Sequence, residues 1–264
     1  MRDYRRALIT GATSGIGRAF AQELPKATQL LLAGRDEARL AQTAEMLAAA
    51  DKMVEICVGD LTRESDRDRL VERADAFGID LLINNAGSWH NGRFLDAPAD
   101  SQCRTIMVNG LAVVDLSRRL LPGMIARARA ARLRAGLIVV SSTMAFAPIP
   151  YFATYAASKA FGLHFAEALA EELRREPIDV LALCPGATRN GRELSSQDRL
   201  KTPRLLPGGD PRTVAADGLA ALGRQTVHIS GRFNQAAFGS VALPHRMVAG
   251  LFGAAMRFVS GNAR

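Results

Sequence analysis

Tyr155 and Lys159 stand four residues apart in a chain with only three tyrosines and four lysines. On a helix, residues i and i+4 share one face, so a phenol and an ammonium at this spacing can reach a common point. A free tyrosine, with a pKa of about 10, is almost wholly protonated at neutral pH. A cation held beside it favours the phenolate and moves the pKa toward the working range. The pair is therefore a candidate proton-transfer device. A lone tyrosine is more often a half-buried core residue, so the surrounding elements must decide.

Those elements alternate. Strand-like runs cover 7–10, 29–33, 54–58, 81–84, 137–141 and 180–184, with a seventh at 226–229. Helical patterns fill the gaps: one ending at Leu24, then 36–50, 66–76, a long helix over 101–127, and one carrying Tyr155 and Lys159 to about 174. Short apolar runs without alternation predict strands buried on both faces. Repeated βαβ units predict a doubly wound parallel sheet of about seven strands, an α/β fold with helices on both sides. Such sheets bind ligands beyond the carboxyl ends of their strands. With 48% apolar residues and no repeats or linker-like tracts, the 264 residues read as a single domain, 1–264.

The first strand runs into Thr10-Gly11-Ala12-Thr13-Ser14-Gly15-Ile16-Gly17 and then a helix. Glycines let the backbone turn tightly and approach a ligand closely. The helix N-terminus offers free N–H groups and a positive dipole end to a pyrophosphate. The second strand ends at Ala33-Gly34-Arg35, where a fold preferring NAD would carry an acidic residue for the ribose hydroxyls. Arg35 can instead grip a 2′-phosphate and stack on adenine, which places NADP ahead of NAD.

Together these motifs resemble the short-chain dehydrogenase/reductase family over nearly all of residues 5–190. The resemblance implies a Rossmann-type nucleotide fold and hydride transfer between a nicotinamide and a carbonyl or secondary alcohol. Gly11, Thr13, Ser14, Gly15, Ile16 and Gly17 look like its cofactor loop, and Asp60-Leu61 like the segment that meets adenine. Asn84-Asn85-Ala86-Gly87 resembles its structural and cofactor-lining motif, and Pro185-Gly186 its nicotinamide-side turn. Ser142, thirteen residues before Tyr155, falls at the family's catalytic serine, and Asn109 at the helix asparagine of its proton relay. By this resemblance Tyr155 exchanges the proton, Lys159 lowers its pKa and holds the nicotinamide ribose, Ser142 orients the substrate oxygen, and Asn109 anchors a water leading to Lys159. Two departures stand out. Asn190 replaces a common threonine, a role that Thr188 can share, and the tail lacks the strand and glycine turn that build a tetramer. A homo-oligomer is expected, with a dimer favoured over a tetramer.

The substrate side is less explicit. Met144–Phe152 is apolar and proline-stiffened, which suggests a hydrophobic ketone or alcohol, although a packed loop gives the same pattern. Residues 189–210 read as a polar lid and 241–264 as an apolar, basic extension, with helical spacing of apolar residues over 241–258. That extension fits subunit or self-packing better than contact with a membrane surface. Trp89 and His90 either line the entrance or serve structural or surface roles, and the second reading is the expectation.

The net charge of +8 includes six arginines and no acid between Arg118 and Arg134. They form either a solvated face or a dock for an acidic carrier protein bearing a 3-oxoacyl thioester. Nucleic acid is not expected, because these arginines are not interleaved with aromatics. No signal-peptide or membrane-spanning pattern appears, and Cys57, Cys103 and Cys184 are scattered. The expectation is a cytoplasmic protein with reduced thiols and no metal. A non-catalytic NADP-binding scaffold is the competing class; loss of Tyr155 or Lys159 would mark it, and both are present.

Overall fold

The computed structural model describes residues 3–188 and 209–238. Seven strands form one parallel sheet: β1 Arg6–Thr10, β2 Gln29–Gly34, β3 Val54–Val58, β4 Leu81–Asn84, β5 Ala135–Val140, β6 Ile178–Cys184 and β7 Val227–Ile229. Their order is β3-β2-β1-β4-β5-β6-β7. The chain winds outward from β1 in one direction, then returns to place β4 on its other side. This reversal opens a crevice at the carboxyl ends of β1 and β4, where such sheets take ligands.

The central strands are largely apolar because both faces are covered. On one face Ala7, Ile9, Leu30, Leu32, Ile83 and Leu183 pack against α1 (Gly15–Glu23), α2 (Glu37–Ala48) and the helix Pro211–Ala221. On the other, Leu8, Leu31, Leu82, Val139 and Ala182 meet α3 (Glu64–Phe77), Ala112–Ala131 and Ala153–Glu172. Neighbouring residues of one strand thus serve opposite cores.

The long helix expected over 101–127 is in fact three pieces. An α-helix, α4, covers Ala99–Ile106; a π-helical segment covers Met107–Leu111; and α5 covers Ala112–Ala131. The apolar period runs through all three, so sequence periodicity does not mark the bulge. A π-turn locally shifts the hydrogen-bond ladder and is frequent at functional sites; here it carries Asn109. α6 is Ala153–Glu172, α7 Pro211–Ala221 and α8 Arg232–Phe238. No helix among the described residues is long and apolar enough to cross a membrane.

Candidate active site

The glycine loop is fixed by one buried hydroxyl. Thr10 Oγ1, at the end of β1, accepts hydrogen bonds from the N–H groups of Asn85 and Ala86, both at 3.0 Å, and donates to the Ile83 carbonyl. The Asn85 amide donates to the carbonyls of Thr10 at 2.9 Å and Gly11 at 3.2 Å. Asn85 therefore holds the loop rather than reaching outward, and Thr10 is its main anchor. Its signal was a threonine ending an apolar strand just before a glycine. Gly11 has φ 68°, and a Cβ on Gly17 would lie 2.3 Å from the Gly11 carbonyl oxygen. That distance is below any tolerable contact, so the turn closes only with glycine.

These residues fit a dinucleotide. The first turn of α1 has no acidic residue, and its N-cap Ser14 makes no side-chain cap bond. α2, by contrast, is capped by the Asp36 carboxylate, which accepts from Arg39 N–H. The orphan N–H groups and positive dipole end of α1 thus stay available for a pyrophosphate. Thr13 packs beside Gly34, where an added Cβ would meet its methyl at 3.0 Å. Arg35 is exposed and has no ion-pair partner among the described residues. Gly87 leaves a further opening. A Cβ there would sit 3.6 Å from Asn109 Oδ1 and 3.7 Å from Lys159 Nζ, an ordinary contact that would fill the space between them.

Asp60 lies at the expected place, after β3, but its carboxylate is already engaged. It accepts from Arg104 Nη1 at 2.9 Å and from the Thr62 N–H and hydroxyl. Burial pushes its pKa up, but these donors outweigh it and hold the carboxyl down to about 2. Arg104 was not singled out from sequence; an exposed arginine on a polar helix gives no local signal. The Leu61 carbonyl accepts from Arg67 Nη1, so its polar group is also occupied.

Three proton-handling candidates converge from two elements. Ser142 follows β5 and accepts from Met144 N–H, capping the turn Thr143–Phe146. The Ser142 hydroxyl hydrogen-bonds the Tyr155 side chain. Lys159 Nζ lies 5.7 Å from the centre of the Tyr155 ring and donates to the Val140 carbonyl at 2.8 Å. Ser141, one residue before Ser142, is excluded from the cleft: its buried hydroxyl donates to the Lys159 carbonyl at 2.6 Å. That bond ties α6 to the end of β5.

Burial dominates the electrostatics of this cluster. Burial raises the Tyr155 pKa above its ordinary value, and the Ser142 hydrogen bond only partly offsets this. Burial also lowers Lys159 to about 8. In the free protein, then, Lys159 does not bring Tyr155 into the neutral range, because desolvation acts on both groups at once. The phenol stays protonated.

The Asn109 side chain is fully engaged within the protein. Its amide donates to the Ser88 carbonyl and to Ser158 Oγ, both at 2.9 Å, and its Oδ1 accepts from Ser88 N–H at 2.8 Å. Ser158 in turn donates to the Tyr155 carbonyl. Asn109 therefore braces the β4–α4 loop against α6. A small polar residue on the buried face of α6 was the available sign of Ser158.

On the nicotinamide-side turn, the Pro185 carbonyl accepts from Thr143 N–H at 2.9 Å, and Thr188 Oγ1 donates to the Gly186 carbonyl at 3.0 Å. Gly209 N–H donates to the Ala187 carbonyl, so the chain leaves and re-enters this turn at adjoining points. Asn190, the expected lid up to residue 208, and the extension 241–264 lie outside the described residues. Trp89 packs, partly covered, against the buried cluster that includes Phe152, in keeping with a structural role.

Four of the six arginines between 118 and 134 are paired. Arg119 meets Asp68, Arg127 meets Asp75, Arg129 meets Glu176 and Arg134 meets Asp179. Acids far away in sequence supply the counter-charges that the local composition lacked.

A doubly wound parallel sheet, a glycine turn at its switch point and a Ser-Tyr-Lys cluster beyond β5 are the parts of an oxidoreductase that works with a nicotinamide cofactor. The family model of the short chain dehydrogenases matches residues 5–199, and this chain belongs to that family. It is 32% identical over 231 residues to a very-long-chain 3-oxoacyl-CoA reductase of Pyricularia oryzae, a match covering 85% of this chain and 66% of the relative. The matched stretch spans about half to two thirds of the length of such reductases. A short-chain dehydrogenase from Sphingobium yanoikuyae, solved in complex with NADPH, superposes with a TM-score of 0.74 at 28% identity, covering 98% of this chain and 96% of that one. One from Burkholderia phymatum in complex with NAD gives 0.79 at 25% identity, covering 94% and 96%.

Proposed function

We propose that this protein reduces the carbonyl of a hydrophobic ketone with NADPH. The observation that carries the reading is the convergence of Ser142 and Lys159 on Tyr155, a buried phenol that suits a group donating a proton to a developing alkoxide. A bound nicotinamide would supply the hydride. Ser142 would hold the substrate oxygen beside the phenol. Lys159 would place its positive charge against the Tyr155 ring and stabilise the phenolate left after proton transfer. Gly87 keeps open the space between Lys159 and Asn109 where a ribose or a water fits.

Arg35 supports NADP over NAD, since no acidic residue ends β2 and its exposed guanidinium, without an ion-pair partner among the described residues, can meet a 2′-phosphate. The likeness to very-long-chain 3-oxoacyl-CoA reductases favours a narrower version, a 3-oxoacyl thioester as the ketone. A carrier protein docked on the 118–134 arginines has less support, because four of the six are already neutralised.

For assembly, a homodimer face is supported by an apolar groove of about 590 Å3 whose lining includes Ile106, Leu111, Val114 and Phe161. Phe161→Asp is expected to leave a monomer by light scattering. An unchanged mass would remove this face from consideration.

The catalytic reading is tested by following NADPH absorbance with free ketones and with 3-oxoacyl-CoA thioesters, each repeated with NADH. Turnover with NADPH at an efficiency about tenfold or more above NADH is expected. Oxidation of neither cofactor across the panel would refute the reading.

A further inference from the structure

The structure carries a third, small apolar cluster, separate from the two cores that sandwich the sheet. Ala147, Ile149, Phe152 and Ala156 are buried in it, and Trp89, Met144 and Tyr155 pack against them partly covered. Three rings form a ladder. Trp89 and Phe152 lie 6.4 Å apart, tilted by 32°, and Phe152 meets Tyr155 edge-on, also at 6.4 Å. These are ordinary distances for attractive aromatic pairs. Phe152 is the covered middle ring at 7% exposure, whereas the Trp89 indole keeps part of its surface free.

Two loops build this ladder, and they are joined. Gly92 N–H, from the β4–α4 loop, donates to the Tyr151 carbonyl of the β5–α6 loop at 2.9 Å. Tyr151 has φ 69°, a left-handed conformation uncommon for a non-glycine residue, so the surrounding contacts hold this turn in place. Pro148 and Pro150 restrict the same loop. The backbone of Ser88, next to Trp89, is tied off on both its N–H and its carbonyl by Asn109. The wall is therefore preformed, and the backbone groups of Ser88 beside it are paired.

We infer that Trp89 sets the substrate class of this cleft: its free indole surface receives the apolar arm of the ketone whose oxygen meets Tyr155. The inference rests on the ketone reductase reading for the reacting centre and adds the residue that selects the arm. A long alkyl or aryl substituent fits such a wall; a short polar one leaves the indole wet. Phe152 acts as a positioning residue behind both rings.

Trp89 is the only tryptophan in the chain, so its emission reports the wall directly. With saturating NADP+, which cannot reduce a ketone, titration with straight-chain 2-ketones from butanone to decanone is expected to change the emission saturably. The half-point should fall by about tenfold or more along the series. An emission unmoved by every ketone overturns the inference. In NADPH assays Trp89→Leu should lower kcat/KM for decanone by about tenfold and barely alter butanone, with Trp89→Phe recovering most of the loss. An equal loss along the series marks Trp89 as a structural cap and also overturns it. If no ketone is turned over, the reductase reading falls, and the emission titration alone decides the role of Trp89.

Discussion

The two sides of the cleft are built on opposite principles. The cofactor side is made of backbone: Gly17 lies against the Gly11 carbonyl because it has no side chain, and Thr10 and Asn85 pin the turn with hydrogen bonds. The proton-handling side is made of side chains whose charge states are set by burial, chiefly Tyr155 and Lys159. Damage to the first should remove binding with little effect on proton chemistry. Damage to the second should remove turnover while binding persists.

The largest expected effect sharpens that contrast. Tyr155→Phe removes only the hydroxyl, so kcat/KM for a ketone should fall by roughly 1000-fold while NADPH affinity, read by its fluorescence, changes by less than about threefold. Gly17→Ala is the opposite experiment. Its Cβ has no room against the Gly11 carbonyl and the Asn85 amide, so NADPH binding should weaken by about 100-fold or more. A Gly17→Ala protein that binds NADPH normally would break the comparison.

Thr10→Val keeps shape and removes the anchor. The N–H groups of Asn85 and Ala86 lose their acceptor, at a cost of about 1–3 kcal/mol each, so the melting temperature should drop by roughly 5–20 °C. A drop confined to the cofactor-free protein would mean that the ligand replaces the lost order. Arg35→Ala should weaken NADPH by about tenfold or more and leave NADH unchanged, as seen in paired titrations.

The smallest effect concerns pH. The pKa of Lys159 is about 8 in the folded protein against 10.5 as a model group. Between those values the unfolded chain binds more protons, so stability rises with pH across the window, and the buried ammonium is a penalty below about 8. Lys159→Met should therefore melt a few degrees higher at pH 7, with the advantage shrinking as pH climbs past 8. Reduction by the unaltered protein should decline over the same range as the ammonium is lost. A constant gap between the two melting curves from pH 7 to 10 would show that Lys159 is not buried as a charge.

The contrast also explains what could be read from sequence. Glycine spacing reports backbone closeness, so the Gly11–Gly17 turn and its place after the first strand were legible residue by residue. Tyr155, Lys159 and Ser142 were legible as a spacing, and the structure brings them together. The direction of the Tyr155 shift was not, since burial is a property of the whole packing rather than of neighbours in the chain. The same holds for Arg104 on Asp60, for the acids that neutralise Arg119, Arg127, Arg129 and Arg134, and for the π-turn at Asn109. Trp89 was judged by its position after a turn; its partner Phe152 lies 63 residues away.

The central claim is that Tyr155 hands its proton to a carbonyl oxygen as hydride arrives. The most direct measurement is single-turnover reduction of a bound ketone by pre-loaded NADPH, in the unaltered protein and in Tyr155→Phe. The account predicts a fast loss of NADPH absorbance in the first and a rate roughly 1000-fold lower in the second, with the cofactor bound in both. Equal rates in the two proteins would contradict it.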